Sequence, residues 1–426
     1  MTDDSKLSRR QFLGRGAMVA GAAAAVPYVV ASRVFGASER IGIGGIGVGR
    51  QGSGILGVPD SQLVAVADVN LPRAQAVAAR AKAKAFQDYR KMLDLKEVDA
   101  VTVGTPDHWH ALCAIHACQA GKDVYVEKPM TLTIREGRKM VEAVRKYRRV
   151  LQVGSQQRSM AANRIGCTLV RAGGIGKVQK VIANNYASPW ECGFAAQPVP
   201  DGLDWDMWCG PTKVVPYHED LYKPRAKPGW ISFRPYSGGE MTGWGSHGLD
   251  QVQWALGMDE SGPVEVWTEG EKLVPPTQTE PGPRLDKACS VPKVFFRYPG
   301  DIVMELGKGP AGGAIFIGEK ATVTIDRGKF VSDPPEMAKA ALKAGAPGRD
   351  NHKADWVAAI KSRARPVADV EIGHRSATVC HLANIARYLG RRLRWDPVKE
   401  VFPDDAEANT HLDRPRRKPY EIPETV

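Results

Sequence analysis

A chain of 426 residues is too long for one small core, so two domains are the natural expectation. Hydrophobic residues make up 43% and charged residues 25%, the proportions of an ordinary soluble globular protein. The net charge of +12 would suit nucleic acid or anionic lipid. Its basic residues, however, are scattered along helix-like segments, and the one compact cluster, RPRRKP near the C-terminus, comes with no nucleic-acid-reading signature, so no nucleic-acid partner is expected.

The N-terminus carries twin arginines, Arg9 and Arg10, followed by Phe12, Leu13 and an Ala/Gly-rich apolar run ending near Ala31. That pattern resembles a twin-arginine export signal, taken as residues 1–37, with the export machinery as a partner and a periplasmic destination. Pro27 interrupts the run, which falls short of the about 20 apolar residues of a spanning helix, so no stable membrane span is expected. Seven cysteines, none in a CxxC pair, read as free thiols rather than a metal site or a disulfide framework.

From Arg40 strands and helices alternate. ERIGIGGIG is the first strand, and LVAVADV (63–69) the second, followed by a helix that Pro72 opens. VDAVTVGT is the third strand, followed by HWHALCAIHACQAG, a helix that Gly121 closes. DVYVEKP, the helix TIREGRKMVEAVRKYRR and VLQVGS complete the series. Short apolar runs separated by helices predict a parallel sheet covered on both faces, a nucleotide-binding Rossmann domain over 38–155. Past Ser155, strand-like runs at KVQKVIANNY, PVEVWTEG, KVFFRYP, DIVMELG and ATVTID predict an open, mostly antiparallel sheet. Helices return near Asn351, and a Pro-rich charged tail follows Asp396, so 156–426 reads as an α+β substrate and oligomerisation domain.

The turn Gly47-Val48-Gly49-Arg50-Gln51-Gly52 fits GxGxxG between a strand and a helix. Glycines there permit a tight turn, close approach to a pyrophosphate and close helix packing. A second register, through Gly42, Gly44 and Gly47, would place glycines inside the strand. Asp68 closes the second strand roughly 20 residues on, where a carboxylate binds the ribose of NAD and repels a 2′-phosphate. The cofactor expected is therefore NAD. The third strand ends in Thr105-Pro106-Asp107-His108-Trp109-His110, on the side of the sheet that lines a ligand crevice. Two histidines could ligate a metal, but no carboxylate or cysteine stands at metal spacing. The preferred reading has one histidine capping or packing and His110 touching the ribose or nicotinamide, with no metal.

VYVEKPMT brings Lys128 to the end of a buried strand, a costly place for an ammonium unless it is paired or used. Together the glycine turn, TPDHWHA, VEKP, VGSQQRS and YSGGEMTGWGSHGLDQVQWALG resemble the Gfo/Idh/MocA family of sugar and polyol oxidoreductases from about Glu39 to the C-terminus. The resemblance implies that Lys128 contacts the nicotinamide ribose and the substrate hydroxyl, that Glu127 and Gln156 help position the cofactor, and that Lys128–Pro129 is cis. It also implies that His247 is the general acid/base, a role that suits imidazole near neutral pH. Many family dehydrogenases carry an aspartate four residues before this histidine, where this chain has Gly243. Asp250, on the same helical face as His247, is a candidate to compensate. Arg158, Trp190, Tyr236 and Trp244 are candidates for a sugar platform.

These readings lead to an NAD-dependent oxidoreductase acting on a sugar or sugar derivative, with Lys128 and His247 handling the proton. Export away from a free NAD pool, together with Gly243, favours one alternative: a redox-neutral glycoside hydrolase or lyase with resident NAD. The other alternative is a non-catalytic sugar-binding protein. The resemblance further implies a homo-oligomer paired through the open sheet.

Overall fold

The computed structural model describes residues 40–426; the export-signal reading lies outside the described residues. Six parallel strands form the first sheet: β1 (Ile41–Ile46), β2 (Ser61–Ala67), β3 (Lys84–Phe86), β4 (Ala100–Val103), β5 (Asp123–Val126) and β6 (Leu151–Val153). Their order is β3-β2-β1-β4-β5-β6, the doubly wound arrangement expected of a Rossmann domain. Connections leave β1 and β4 in opposite directions, which opens a crevice at their C-terminal ends. Five of these strands were legible as apolar runs. The three residues of β3 are only half-buried and exposed, and carry no such run.

Local signals set the helix ends. The Asn70 side chain accepts from the Arg73 amide at the start of Leu71–Ala81, where Pro72 needs no N–H partner. Thr133 and Glu136 form a reciprocal capping box that opens Ile134–Lys146. Gly121, at φ +74°, ends Asp107–Gln119.

The second sheet contains β7 (Val178–Asn184), β9 (Glu265–Glu269), β11 (Lys293–Tyr298), β12 (Ile302–Gly307), β13 (Ala314–Gly318), β14 (Thr322–Asp326), β15 (Lys329–Asp333) and β16 (Leu393–Arg394). The short strands β8 (Glu191–Cys192) and β10 (Thr277–Gln278) pair apart from it. The order is β15-β14-β13-β7-β12-β11-β9-β16, antiparallel except for the β7–β12 pair. Inward residues of alternating strands, including Phe296, Met304, Phe316 and Val323, are fully buried against Leu249, Val252 and Leu382 from the helices Gly245–Ala255 and Val370–Leu389. Each such large apolar side chain stabilises the fold by roughly 1.5–3 kcal/mol.

The two sheets are tied together beyond the boundary at 155. Trp356, on the helix His352–Ser362, is fully buried against Tyr125, Ile41 and Ile43 of the Rossmann sheet. Arg138, on the capping-box helix, bonds Glu371 at 2.9 Å. In the tail, Arg416 pairs with Glu136 at 3.1 Å and Arg417 with Asp206 at 2.9 Å. Much of the C-terminal basic cluster is thus engaged within the chain.

Candidate active site

The crevice at the ends of β1 and β4 is a cavity of about 350 Å³. Gly47 leaves β1 at φ +71°, and a Cβ there would meet the backbone nitrogen of Thr105 at 2.8 Å. A Cβ on Gly52 would lie 1.8 Å from the Gly47 carbonyl oxygen, so this glycine lets the helix Arg50–Ile55 press onto the turn. The register beginning at Gly47 is therefore the one at the crevice, while Gly42 and Gly44 lie inside β1. Gly49 caps the helix without a side-chain bond, which leaves first-turn amides for an anionic ligand.

Asp68 lines the same crevice. It accepts from the Val48 amide at 2.9 Å and the Asn70 amide at 2.9 Å, tying the second strand to the glycine turn. Burial raises its pKa, opposed by Arg73 and the two amides. Gly47, Gly49, Arg50, Gln51, Thr105, Pro106, His110, Glu127 and Lys128 also line the cavity. Thr105 Oγ1 is buried without a partner, an orphaned polar atom that a bound nucleotide would satisfy. A left-handed glycine, uncapped amides, a carboxylate and an orphaned hydroxyl together fit a dinucleotide.

Gln156 is not among the residues that line the cavity, whereas Glu127 and His110 line it and brace its wall. Gln156 donates to Glu127 Oε1 at 3.0 Å and to the Tyr125 hydroxyl at 3.3 Å. Glu127 is buried, which raises its pKa, with Lys128 the strongest opposing influence. His110 faces the Pro129 carbonyl at 2.7 Å and the Thr105 carbonyl at 3.0 Å. A neutral imidazole carries one N–H and donates to one of them at a time. His110 therefore holds the Lys128–Pro129 turn, which is cis, against the end of β4. His108 packs on Trp208 and Tyr236 and meets the Trp208 carbonyl at 2.9 Å. Among the described residues no group of three His, Cys, Asp or Glu is placed to hold a metal.

Lys128, which lines the same crevice as Asp68, donates from Nζ to the Gly243 carbonyl at 3.3 Å. Gly243 ends the short helix Glu240–Gly243, and the helix Gly245–Ala255 carries His247 in its first turn. The two lobes therefore bring an ammonium and an imidazole together. His247 is buried and its Nδ1 has no partner. Burial pushes its pKa well below 6.5, reinforced by Lys128, Arg327 and Arg225, so the ring is neutral and able to accept a proton.

Residues 40–155 match the oxidoreductase family's NAD-binding Rossmann fold, and residues 177–422 match its C-terminal alpha/beta domain. The chain belongs to the Gfo/Idh/MocA family. Inositol 2-dehydrogenase of Rubrobacter xylanophilus is 37% identical over 129 residues, covering 29% of this chain and 37% of that protein. The scyllo-inositol 2-dehydrogenase (NAD(+)) of Bacillus subtilis is 32% identical over 138 residues, covering 32% of this chain and 40% of that protein. The chain thus spans about two-fifths of the length of these curated relatives. Among solved structures, the WlbA dehydrogenase of Bordetella pertussis in complex with NADH and UDP-GlcNAcA superposes with a TM-score of 0.59 at 19% identity, covering 84% of this chain and 99% of that one. The aldose–aldose oxidoreductase of Caulobacter crescentus gives 0.55 at 18%, covering 84% of this chain and 100% of that one. At these identities the structures establish the fold.

Within this Gfo/Idh/MocA chain, four expected substrate contacts lie elsewhere. Arg158 and Asp250, each 1% exposed, pair with one another at 2.8 Å. Arg158 also reaches Asp259 at 2.9 Å, and Asp250 accepts from the Ser376 hydroxyl at 2.7 Å. They form a buried interhelical network, so Asp250 cannot replace the family's aspartate. Trp190 is fully buried and donates to Gln278 at 3.0 Å. Tyr236 is buried against His108 and Trp208. Large rings at a domain junction are consumed by core packing, which a sequence cannot distinguish from a sugar platform. Trp244 alone stays half-buried, its ring 5.7 Å from that of His247.

Gly243 has a structural counterpart. A Cβ there would stand 3.0 Å from Glu240 Oε2, so the Glu240 carboxylate already fills the space beside it. Glu240 is held by Arg225 at 3.2 Å and Arg284 at 2.9 Å. The sequence reading also missed Arg73, which lies 3.5 Å from Asp68, and Tyr222, over whose ring Arg73 sits at 5.3 Å. Tyr222 comes from far along the chain, with no local signal. Asp107 was legible as the carboxylate after Pro106 at a crevice-lining strand end, yet was given no role.

Proposed function

We propose that this protein is an NAD-dependent oxidoreductase that interconverts a secondary alcohol and a ketone on a sugar or polyol. The observation that carries this reading is the Lys128–Gly243 hydrogen bond, which joins the Rossmann crevice to the short helix that leads into the helix of His247. Gly47, Gly49 and the first-turn amides would hold the pyrophosphate of NAD, with Asp68 at the adenosine ribose and Thr105 and Glu127 toward the nicotinamide. NAD, when bound, supplies hydride acceptance and return. His247, neutral because it is buried among cations, accepts the hydroxyl proton, and Lys128 holds the oxygen as charge develops on it. Trp244, half-buried with the Arg327 guanidinium over its ring at 5.6 Å, is the expected aromatic left nearest to His247. Denaturing the purified protein and identifying the released nucleotide, then following absorbance at 340 nm with a panel of polyols, sugars and glycosides, tests the reading. No released nucleotide, and none bound on addition, would overturn it.

A redox-neutral reading, in which hydride is taken and then returned around a cleavage step, draws support from the covering of the crevice. The Leu71 amide donates to the Gly202 carbonyl at 3.0 Å, the Asp204 amide to the Val69 carbonyl at 2.9 Å, and Asn70 to the Tyr222 hydroxyl at 3.4 Å. A second-lobe segment thus packs over the Asp68 side of the crevice, where it would slow nucleotide exchange. Aglycone release without NADH accumulation identifies this cycle. We also infer export through the twin-arginine route, on the strength of Arg9, Arg10 and the apolar run that follows. Cell fractionation that leaves the protein in the cytoplasm would refute it.

A further inference from the structure

Asp107 is a carboxylate that the catalytic reading leaves unused. It opens the helix Asp107–Gln119, is 2% exposed and lines the crevice at its Lys128 end. Its one hydrogen bond among the described residues comes from Ser237, whose hydroxyl donates to Oδ2 at 2.7 Å, and no cation lies within ion-pair distance. The charged groups around it are Lys128 at the end of β5, Arg225 in the covering segment and Glu240 in the short helix. His108 and His110, on its own helix, are neutral because burial lowers both to about 4. Burial raises Asp107 to about 7, opposed by Ser237, Lys128 and Arg225 and assisted by Glu240. Asp107 shares the cavity with Lys128 and senses its charge, so a dinucleotide whose adenosine and pyrophosphate rest on Asp68 and the glycine turn would bring its nicotinamide toward Asp107.

A nicotinamide ring carries a positive charge when oxidised and none when reduced. A carboxylate buried beside it is stabilised by the first state and destabilised by the second. We propose that Asp107 binds the oxidised cofactor as a carboxylate and the reduced cofactor as a carboxylic acid, keeping inside the enzyme the proton that alcohol oxidation releases. The balance is complete. The alcohol carbon gives a hydride, with both electrons of its C–H bond, to the nicotinamide, its O–H proton is accepted by His247, and Asp107 gains the one proton that the crevice retains. The products are a ketone, the reduced cofactor and a protonated Asp107, with no change of net charge in the crevice. Return of the hydride draws the same proton back.

The inference rests on the NAD-binding reading, and one experiment separates the two. NAD⁺ and NADH are titrated into nucleotide-free protein between pH 6 and 9, following tryptophan fluorescence, with wild type and Asp107→Asn in parallel. In wild type the ratio Kd(NADH)/Kd(NAD⁺) rises with pH, approaching about tenfold per unit near neutrality, as linkage of one proton requires. In Asp107→Asn, which keeps a partner for Ser237, the ratio is flat and lower at pH 8. A weakly buffered dye assay on wild type alone gives a second reading: up to one proton per site is taken up as NADH binds at pH 8. Absence of any nucleotide binding overturns the NAD-binding reading, and this one with it. Binding with a pH-independent ratio, or an unchanged slope in Asp107→Asn, overturns the role of Asp107 alone.

Discussion

Replacing Arg158 by methionine separates a structural role from a substrate role at the centre of the second lobe. Arg158 Nε donates to both oxygens of Asp250, at 2.9 and 3.0 Å, and its Nη2 reaches Asp259 at 2.9 Å. The guanidinium also lies 5.1 Å from the centre of the Trp254 ring. Without it, Asp259 retains Arg171 at 3.2 Å, but Asp250 retains only neutral partners such as Ser376. A buried carboxylate stripped of its cation costs about 3–5 kcal/mol, a large part of a typical fold's stability. Arg158→Met/Asp250→Leu removes both charges and is expected to recover most of that loss, because apolar replacement of a buried pair is often near neutral. Urea unfolding followed by tryptophan fluorescence measures each step, with nucleotide Kd and sugar KM measured alongside. Wild-type stability of Arg158→Met combined with a KM raised more than about tenfold would show that Arg158 faces the substrate after all, since tenfold corresponds to ~1.4 kcal/mol of lost binding.

His247→Gln is expected to lower kcat by about 10²–10⁴, the usual contribution of a positioned acid/base, with nucleotide affinity unchanged. Gly52→Ala drives a methyl toward the Gly47 carbonyl 1.8 Å away, so nucleotide affinity should fall by at least about tenfold or the protein should fail to fold, while Gly54→Ala, with open space around its Cβ, leaves both intact. His108 and His110 are lowered by burial to about 4 when folded, so their stabilising effect is complete above the unfolded value near 6.5 and is lost as pH falls toward 4. Each should cost on the order of 3 kcal/mol across that window, and His108→Asn should remove about one proton from the acid slope of the unfolding midpoint. Trp244→Ala should raise sugar KM several-fold without altering nucleotide Kd, as loss of a stacking face requires.

The legible parts of the chain were those whose meaning is local. The glycine turn, Pro72 and Gly121 at helix ends, and the apolar runs of β1, β2, β4, β5 and β6 each announce a conformation that a few neighbouring residues enforce. The strands β13 and β15 were not legible. β13 emerges from a glycine-rich stretch and is held between β7 and β14, while β15 buries little beyond Phe330 and exists because β14 is there to be paired.

Lys128 and His247 were recoverable as a pair because each sits in a motif, although no local rule joins residues more than a hundred positions apart. Arg158, Asp250, Trp190 and Tyr236 show the converse. Their chemistry suits a sugar site, and burial removes them from it. Sequence by itself determined the nucleotide fold and its glycine turn, because backbone conformation follows from short-range sterics. Tertiary structure alone decided which polar and aromatic side chains remain open to a ligand, why Glu240 stands beside Gly243, and that Asp107 is shut into the crevice. Exposure and electrostatic environment are set by whatever distant segments pack on top.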